Sequence, residues 1–233
     1  MNLGWKLALA CKDKGSDLLL ESYAIERRQH VLQTTMFVLR ATPNPSVMKI
    51  ITSRVFYNLL YRPIIRAAWY HHNSGTHSTN HFSQSGIQLG IKLNFSPVVM
   101  KEETIQPDDP TCKYNPTICA GARIPYLPLL DRNGIFSFID SSGYSILVIN
   151  TDLLDFANQL AISITDSDVP ATVSIIPRID VNSFKGHYKK IAQLFLAESV
   201  LVVRPDHIIA WRACSTNTSI GNAVEQAIKN YGP

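Results

Sequence analysis

Val200-Leu201-Val202-Val203-Arg204-Pro205-Asp206-His207-Ile208-Ile209-Ala210-Trp211 reads as a β-hairpin. Two short runs rich in β-branched and aromatic residues, 200–203 and 208–211, flank a turn. Upstream, apolar residues recur at helical spacing over 185–196, and 171–176 is another short apolar run. A helix over 152–163 and a strand over 144–149 precede these, and a helix over 219–230 follows the hairpin. The predicted order is therefore β-α-β-α-β-β-α. Its crossover helices are long enough to return the chain to a parallel neighbour. The expected class is α/β, with a central mixed sheet covered by helices in a thioredoxin-like arrangement. Ahead of it, Cys119-Ala120-Gly121-Ala122-Arg123-Ile124-Pro125 leads to a short apolar run, and Asp131-Arg132-Asn133-Gly134 carries a hairpin-turn signal.

The first third reads as helix. Asn2-Leu3-Gly4-Trp5-Lys6-Leu7-Ala8 is amphipathic from its first residue. After a short turn, Ser16 or Asp17 is placed to cap a helix whose apolar positions Leu19, Leu20, Tyr23, Val31 and Leu32 recur at helical spacing. Pro43 and Pro45 end it. Ser46 is placed to cap a further helix through Met48, Ile51, Val55, Leu59 and Leu60, broken near Pro63. These helices have no evident core of their own, so they are expected to pack on something else.

The middle of the chain is less patterned. His71-His72-Asn73-Ser74-Gly75-Thr76-His77-Ser78-Thr79-Asn80-His81 is a polar loop by composition. Its imidazoles suit zinc or copper, but no Cys or carboxylate stands nearby and no helix aligns them, so no metal site is assigned. Residues 87–93 alternate like a short strand, and 101–116, with three prolines and four acidic residues, suits a linker. The expected domains are 1–69 (helical), 70–119 (irregular) and 120–233 (α/β). Cys11, Cys112, Cys119 and Cys214 make no C-x-x-C and no zinc spacing. Cys112 and Cys119 flank Pro116 closely enough to cross-link, but idle thiols are the expectation.

Composition sets mild bounds. With 45% hydrophobic and 17% charged residues over 233 positions, the chain reads as globular. Its net charge of +4 is uneven: residues 1–66 hold ten Lys/Arg and four Asp/Glu. That basic region matches no nucleic-acid motif, because the aromatics do not alternate with Lys/Arg, so a solvated face or a face for an acidic partner domain is expected. No apolar run approaches the roughly 18 residues of a membrane span, and Lys6 interrupts any leader-like stretch. A cytoplasmic location is the default expectation.

Two sets of residues resemble one family. Asn2-Leu3-Gly4-Trp5-Lys6-Leu7-Ala8 followed by Leu19-Leu20-Glu21-Ser22-Tyr23-Ala24-Ile25-Glu26-Arg27-Arg28 resembles the stretch closing the FAD domain of phenol-hydroxylase-type aromatic monooxygenases. Gly121-Ala122-Arg123-Ile124-Pro125 and Arg204-Pro205-Asp206-His207-Ile208-Ile209-Ala210-Trp211-Arg212 resemble the opening segment and the late hairpin of that family's thioredoxin-like C-terminal domain. Ala120 stands where the family has proline and His207 where it has glycine. A glycine would enter a left-handed turn freely, so His207 implies strain or a different turn. Gln88-Leu89-Gly90-Ile91-Lys92-Leu93 is similar to a family segment only loosely.

The resemblance implies a FAD- and NADPH-dependent hydroxylase acting on a phenol-like or polyketide-like ring, with the C-terminal domain used in subunit contacts. Holding FAD needs a strand, a Gly-rich turn and a helix, and no G-x-G-x-x-G occurs in these residues. The chain is thus expected to be a partial enzyme, lacking the dinucleotide-binding half and silent alone. The alternative is a non-catalytic dimerisation or interaction module that pairs with itself or a full-length relative. No catalytic, cofactor-binding or metal residue is assigned. The position a thioredoxin gives to C-x-x-C reads Asn150-Thr151-Asp152-Leu153, with no thiolate to act. Asp166, Asp168 and Asp180 are expected to be solvated, His187 and Tyr188 to be exposed helix residues, and Cys214 to pack. Glu26-Arg27-Arg28 is expected to make structural ion pairs, and Trp211 and Arg212 to serve hairpin packing and an interface.

Overall fold

The computed structural model describes residues 2–14, 17–41, 86, 89–90, 92–93, 95–99, 114–129, 134–166 and 169–214. The chain divides into two compact units, one of residues 1–28, 91–105 and 116–233 and one of 29–90 and 106–115. In the first unit, α1 (Asn2–Ala10) and the start of α2 (Asp17–Ala41) precede a run of alternating strands and helices. These are β1 (Tyr144–Val148), α3 (Leu154–Asp166), β2 (Ala171–Ile175), α4 (Gly186–Leu196), β3 (Glu198–Val203) and β4 (Ile209–Cys214). The expected β-α-β-α-β-β order and α/β class are observed, with boundaries within about three residues of those read from periodicity.

The sheet order is β2-β1-β3-β4. β1 and β2 are parallel, while β3 is antiparallel to both β1 and β4. Side-chain alternation divides the core between the two sheet faces. Tyr144, Ile146, Val148, Val200 and Val202 meet α3 through Ala157, Leu160 and Ile164. Leu147, Leu201 and Val203 meet α4 through Ile191, Ala192 and Phe195. Every residue of β1 is buried, which suits a central strand covered on both faces. Two register shifts interrupt the hairpin, one between Glu198 and Val200 and one where Val202 opposes Trp211 and Val203 opposes Ile209. At the second, the extra residue Ala210 is a β-bulge that puts Ala210 and Trp211 into the same core cluster.

The first helices find their packing surface on this sheet. Trp5, Leu9 and Leu19 join the α3-side core, and Trp5 meets Tyr144 edge-on with ring centroids 5.9 Å apart. Asp17 opens α2, which ends at Ala41, two residues before Pro43. Of the stretch 87–93, expected as a strand, residues 87, 88 and 91 lie outside the described residues. Gly86 and Leu89 are helical, Gly90 N–H donates to Gly86 O at 2.8 Å, and Lys92 makes a lone bridge to Ala122. A short apolar alternation fits either state.

Nor does the 131–134 turn signal lead into a strand. Ile135 N–H does donate to Leu127 O at 2.9 Å, but Ile135–Phe138 is a 3-10 turn. The helix from Ser46, the His71–His81 tract, the 101–113 part of the linker, Cys112, Asp168 and the 219–230 helix lie outside the described residues. Among the described residues, no helix is long and apolar enough to cross a membrane.

Candidate functional site

Four charges meet inside the first unit where α1, α2 and the β3–β4 turn come together. Lys6 sits on the buried side of α1 and is 0% exposed, a rare state for lysine unless it is paired. Its Nζ donates to Ser22 Oγ at 2.6 Å and to Glu26 Oε2 at 2.9 Å. Glu26 and Ser22 are four apart on α2, hence on one side of the helix. Arg204, immediately after β3 and also 0% exposed, grips Glu26 with Nη1 to Oε1 at 2.7 Å and Nη2 to Oε2 at 3.1 Å. The same guanidinium holds Asp206 through Nε at 3.0 Å and Nη2 at 2.6 Å. Arg204 is therefore forked onto two carboxylates, a geometry that its planar donors favour and lysine cannot supply.

Neutral groups complete the shell. Ser96 Oγ donates to Glu26 Oε1 at 2.6 Å. Asn2 Nδ2 bridges Glu26 Oε2 at 2.6 Å and Asp206 Oδ2 at 2.8 Å, which fixes the amide orientation because two carboxylates need a donor. The Arg204 guanidinium lies 5.3 Å and the Lys6 ammonium 5.8 Å from the centre of the Trp5 ring, within cation–π range. Two cations face two carboxylates, so the cluster is close to neutral, as a buried set must be.

The electrostatics follow from the geometry. Burial alone pushes the Glu26 carboxyl upward, but the hydrogen bonds and charge of Arg204, helped by Ser96 and Asn2, pull its pKa down to about 2. Arg204 is held protonated: burial opposes its charge, and Asp206 and Glu26 outweigh that burial. Lys6 goes the other way, lowered by burial and then by Arg204 despite the support of Glu26. Each charged member has an oppositely charged partner within the network. The cluster's chemistry is to hold three segments together.

A second junction joins the two other motif segments. Gly121 N–H donates to Ile209 O at 2.8 Å, Ile209 N–H to Ala122 O at 2.9 Å, and Ile124 N–H to His207 O at 2.9 Å. Gly121 has φ 83°, and a Cβ there would lie 3.2 Å from the Leu93 backbone, so glycine is required. His207 does adopt the left-handed turn, at φ 67°. Its ring stacks on Phe136 at 4.6 Å, which helps offset the strain.

The remaining sequence candidates are placed as follows. Glu26 makes ion pairs, but inward, whereas Arg27 and Arg28 are exposed. Trp211 is 2% exposed and packs near Phe156 at 6.3 Å. It has no surface to offer an interface, and Arg212 is half-buried. Asn150 accepts from Asp152 N–H at 3.1 Å, so the position of a redox motif holds a turn cap. Asp166 and Asp180 are exposed and apart in sequence, Asp180 capping its own turn through Asn182 N–H. His187 and Tyr188 are exposed on α4. Cys11 and Cys119 are free thiols, and no metal-ligating group occurs among the described residues. Sequence reading missed Asn2, Ser96, Arg204 and Asp206 as members of one site. A lone lysine on an apolar helix side and a lone arginine ending an apolar strand were the available signals.

No family model and no curated protein matches the chain. Solved structures do. RebC-10x, native and K252c-bound, matches with TM-score 0.63 and 22% identity over 98% of this chain and 38% of its own, and the rebeccamycin biosynthetic enzyme RebC with reduced flavin matches with 0.64 and 21% over 97% and 39%. The flavin-dependent monooxygenase PieE, solved with FAD and substrate, matches with TM-score 0.66 and 19% identity over 98% and 43%. Aklavinone-11 hydroxylase with FAD and aklavinone gives 0.56 and 17% over 98% and 38%. The chain shares its fold with part of these flavin enzymes. It spans about two fifths of their length.

Among the described residues, the buried cations Lys6 and Arg204 face carboxylates, and Gly121 packs on the Leu93 backbone.

Proposed function

We propose that the chain is the C-terminal portion of a FAD- and NADPH-dependent aromatic-ring hydroxylase of the phenol-hydroxylase type. Residues 1–69 are the helical end of the FAD domain, 70–119 a linking region, and 120–233 a thioredoxin-like module without a redox thiol. The observation that carries this reading is the meeting of its separate motif segments. Asn2 and Lys6, Glu26, and Arg204 with Asp206 come from three stretches that carry the family resemblance, and they share one buried network. The likeness of fold to flavin enzymes over nearly the whole chain supports it. Flavin chemistry is assigned to residues other than these. The role of this portion is to seat α1 and α2, and a cytoplasmic location goes with the reading.

A second reading, an interaction module derived from such an enzyme, is favoured by outward-facing Leu7, Leu18, Leu20 and Ile25, each more than a third exposed. Two experiments decide. The purified chain, incubated with FAD and desalted, is expected to be colourless and to leave NADPH unoxidised. Retained, perturbed flavin bands would defeat the assignment of the cofactor site elsewhere. Mapping the transcript upstream of the Met1 codon is expected to find an in-frame Gly-rich dinucleotide segment. Its absence would leave the interaction module.

A further inference from the structure

α2 carries apolar residues on more than one side. Leu18, Leu19 and Leu20 are consecutive and so point about 100° apart. Only Leu19 is buried, at 5% exposure, while Leu18 and Leu20 are each 37% exposed and Ile25 is 41% exposed. Burying any one of these leucines removes a similar apolar area from water. Apolar burial by itself therefore leaves several rotational settings of α2 open. The polar residues do not. Leu19, Ser22 and Glu26, spaced by three and four, lie on the same side, and only that side brings Glu26 to Lys6, Ser96 and Arg204.

We propose that the Lys6–Glu26–Arg204–Asp206 network is a rotational key, which selects one seating of α1 and α2 on the sheet by making the other seatings strand a buried charge. Turning α2 by one residue carries Glu26 away and leaves Lys6 and Arg204 to share Asp206. Arg204 cannot escape by losing its proton, and it is 0% exposed directly after β3. Ser22 is keyed in the same way, since its Oγ accepts from Lys6 and donates to Leu19 O at 2.6 Å. Replacing a buried charge set by well-packed apolar residues is often neutral or stabilising, whereas stranding one of its charges is strongly destabilising, and it is this second cost that the other seatings incur. The inference concerns this chain's own folding and stands whether or not the flavin reading does.

Thiol alkylation, read peptide by peptide, tests it. Leu18→Cys, Leu19→Cys and Leu20→Cys are made singly in the full chain. With the network intact, the thiol at 19 is expected to react about a hundredfold more slowly than those at 18 and 20. Each probe is then combined with Lys6→Met/Glu26→Met/Arg204→Met/Asp206→Asn, and separately with the shape-preserving Glu26→Gln. In both backgrounds the three rates are expected to converge, while amide exchange in β1 and β3 stays slow. A retained hundredfold contrast in either background overturns the proposal, because the leucines alone would then choose the seating. Loss of slow exchange in β1 and β3 overturns it too, because the network would then be needed for the sheet itself.

Discussion

Glu26→Gln is the sharpest perturbation of this molecule, because it removes one charge and keeps the shape. Glu26 is 2% exposed and accepts five hydrogen bonds, from Asn2, Lys6, Ser96 and twice from Arg204. Burial raises its pKa, and the Arg204 interactions more than reverse this, so that folding takes it from 4.5 to about 2. The folded state thus binds this proton more weakly than the unfolded chain. The stabilisation is present in full above pH 4.5 and is lost as pH falls through about 2. At ~1.4 kcal/mol per pKa unit, the contribution is about 3 kcal/mol. The assay is urea unfolding followed by tryptophan fluorescence, in steps from pH 7 downward, on wild type and Glu26→Gln. Urea is chosen because it does not screen charge as a guanidinium salt does. At pH 7 the variant is expected to be less stable by roughly 3–5 kcal/mol, the usual loss when one partner of a buried pair is removed. That gap is expected to shrink by about 3 kcal/mol toward pH 2. Parallel pH profiles, with a constant gap, would refute the argument that Arg204 holds the buried carboxylate ionised.

Other outcomes follow from single residues. Gly121→Ala, at φ 83° and against the Leu93 backbone, is expected to cost about 1–2 kcal/mol by thermal or urea unfolding. At His207, glycine would relieve the left-handed backbone but lose the Phe136 stack, so His207→Gly is expected within about 1 kcal/mol of wild type. His207→Val, which loses the stack and suffers more strain, is expected to be clearly worse. Burial and then Arg123 push the His207 imidazole below its ordinary 6.5, against the pull of Asp206. Its NMR titration is therefore expected to have a midpoint under that value, with the associated stability present above pH 6.5 and declining as pH falls through the lower folded value. Trp211→Ala, deep in the α3-side core, is expected to cost about 3–5 kcal/mol. A surface residue at an interface would cost far less, which separates the two roles.

Much of the fold is legible in the sequence. Strands β1 to β4 and helices α3 and α4 follow from runs and spacings within single windows, because each element's hydrogen bonds and side-chain period are local. The left-handed turn was legible at His207, where the family resemblance led one to expect glycine. Over 87–93 the mild alternation does not separate a helical turn from a strand, and the described residues hold both a helical Leu89 and a β-bridge at Lys92.

The sequence by itself determined the order of elements, the α/β class and the absence of a redox thiol at the expected turn, since all three depend on residues close together along the chain. Only the tertiary structure decided what the charges do. Glu26 and Arg204 are 178 positions apart and Asn2 and Asp206 are 204 apart, and Ser96 lies in a stretch with little pattern of its own. Nothing in their local spacing announces a partner. A buried charge is tolerated only where folding delivers its counter-charge and donors to within hydrogen-bond reach, and that delivery belongs to the packed chain.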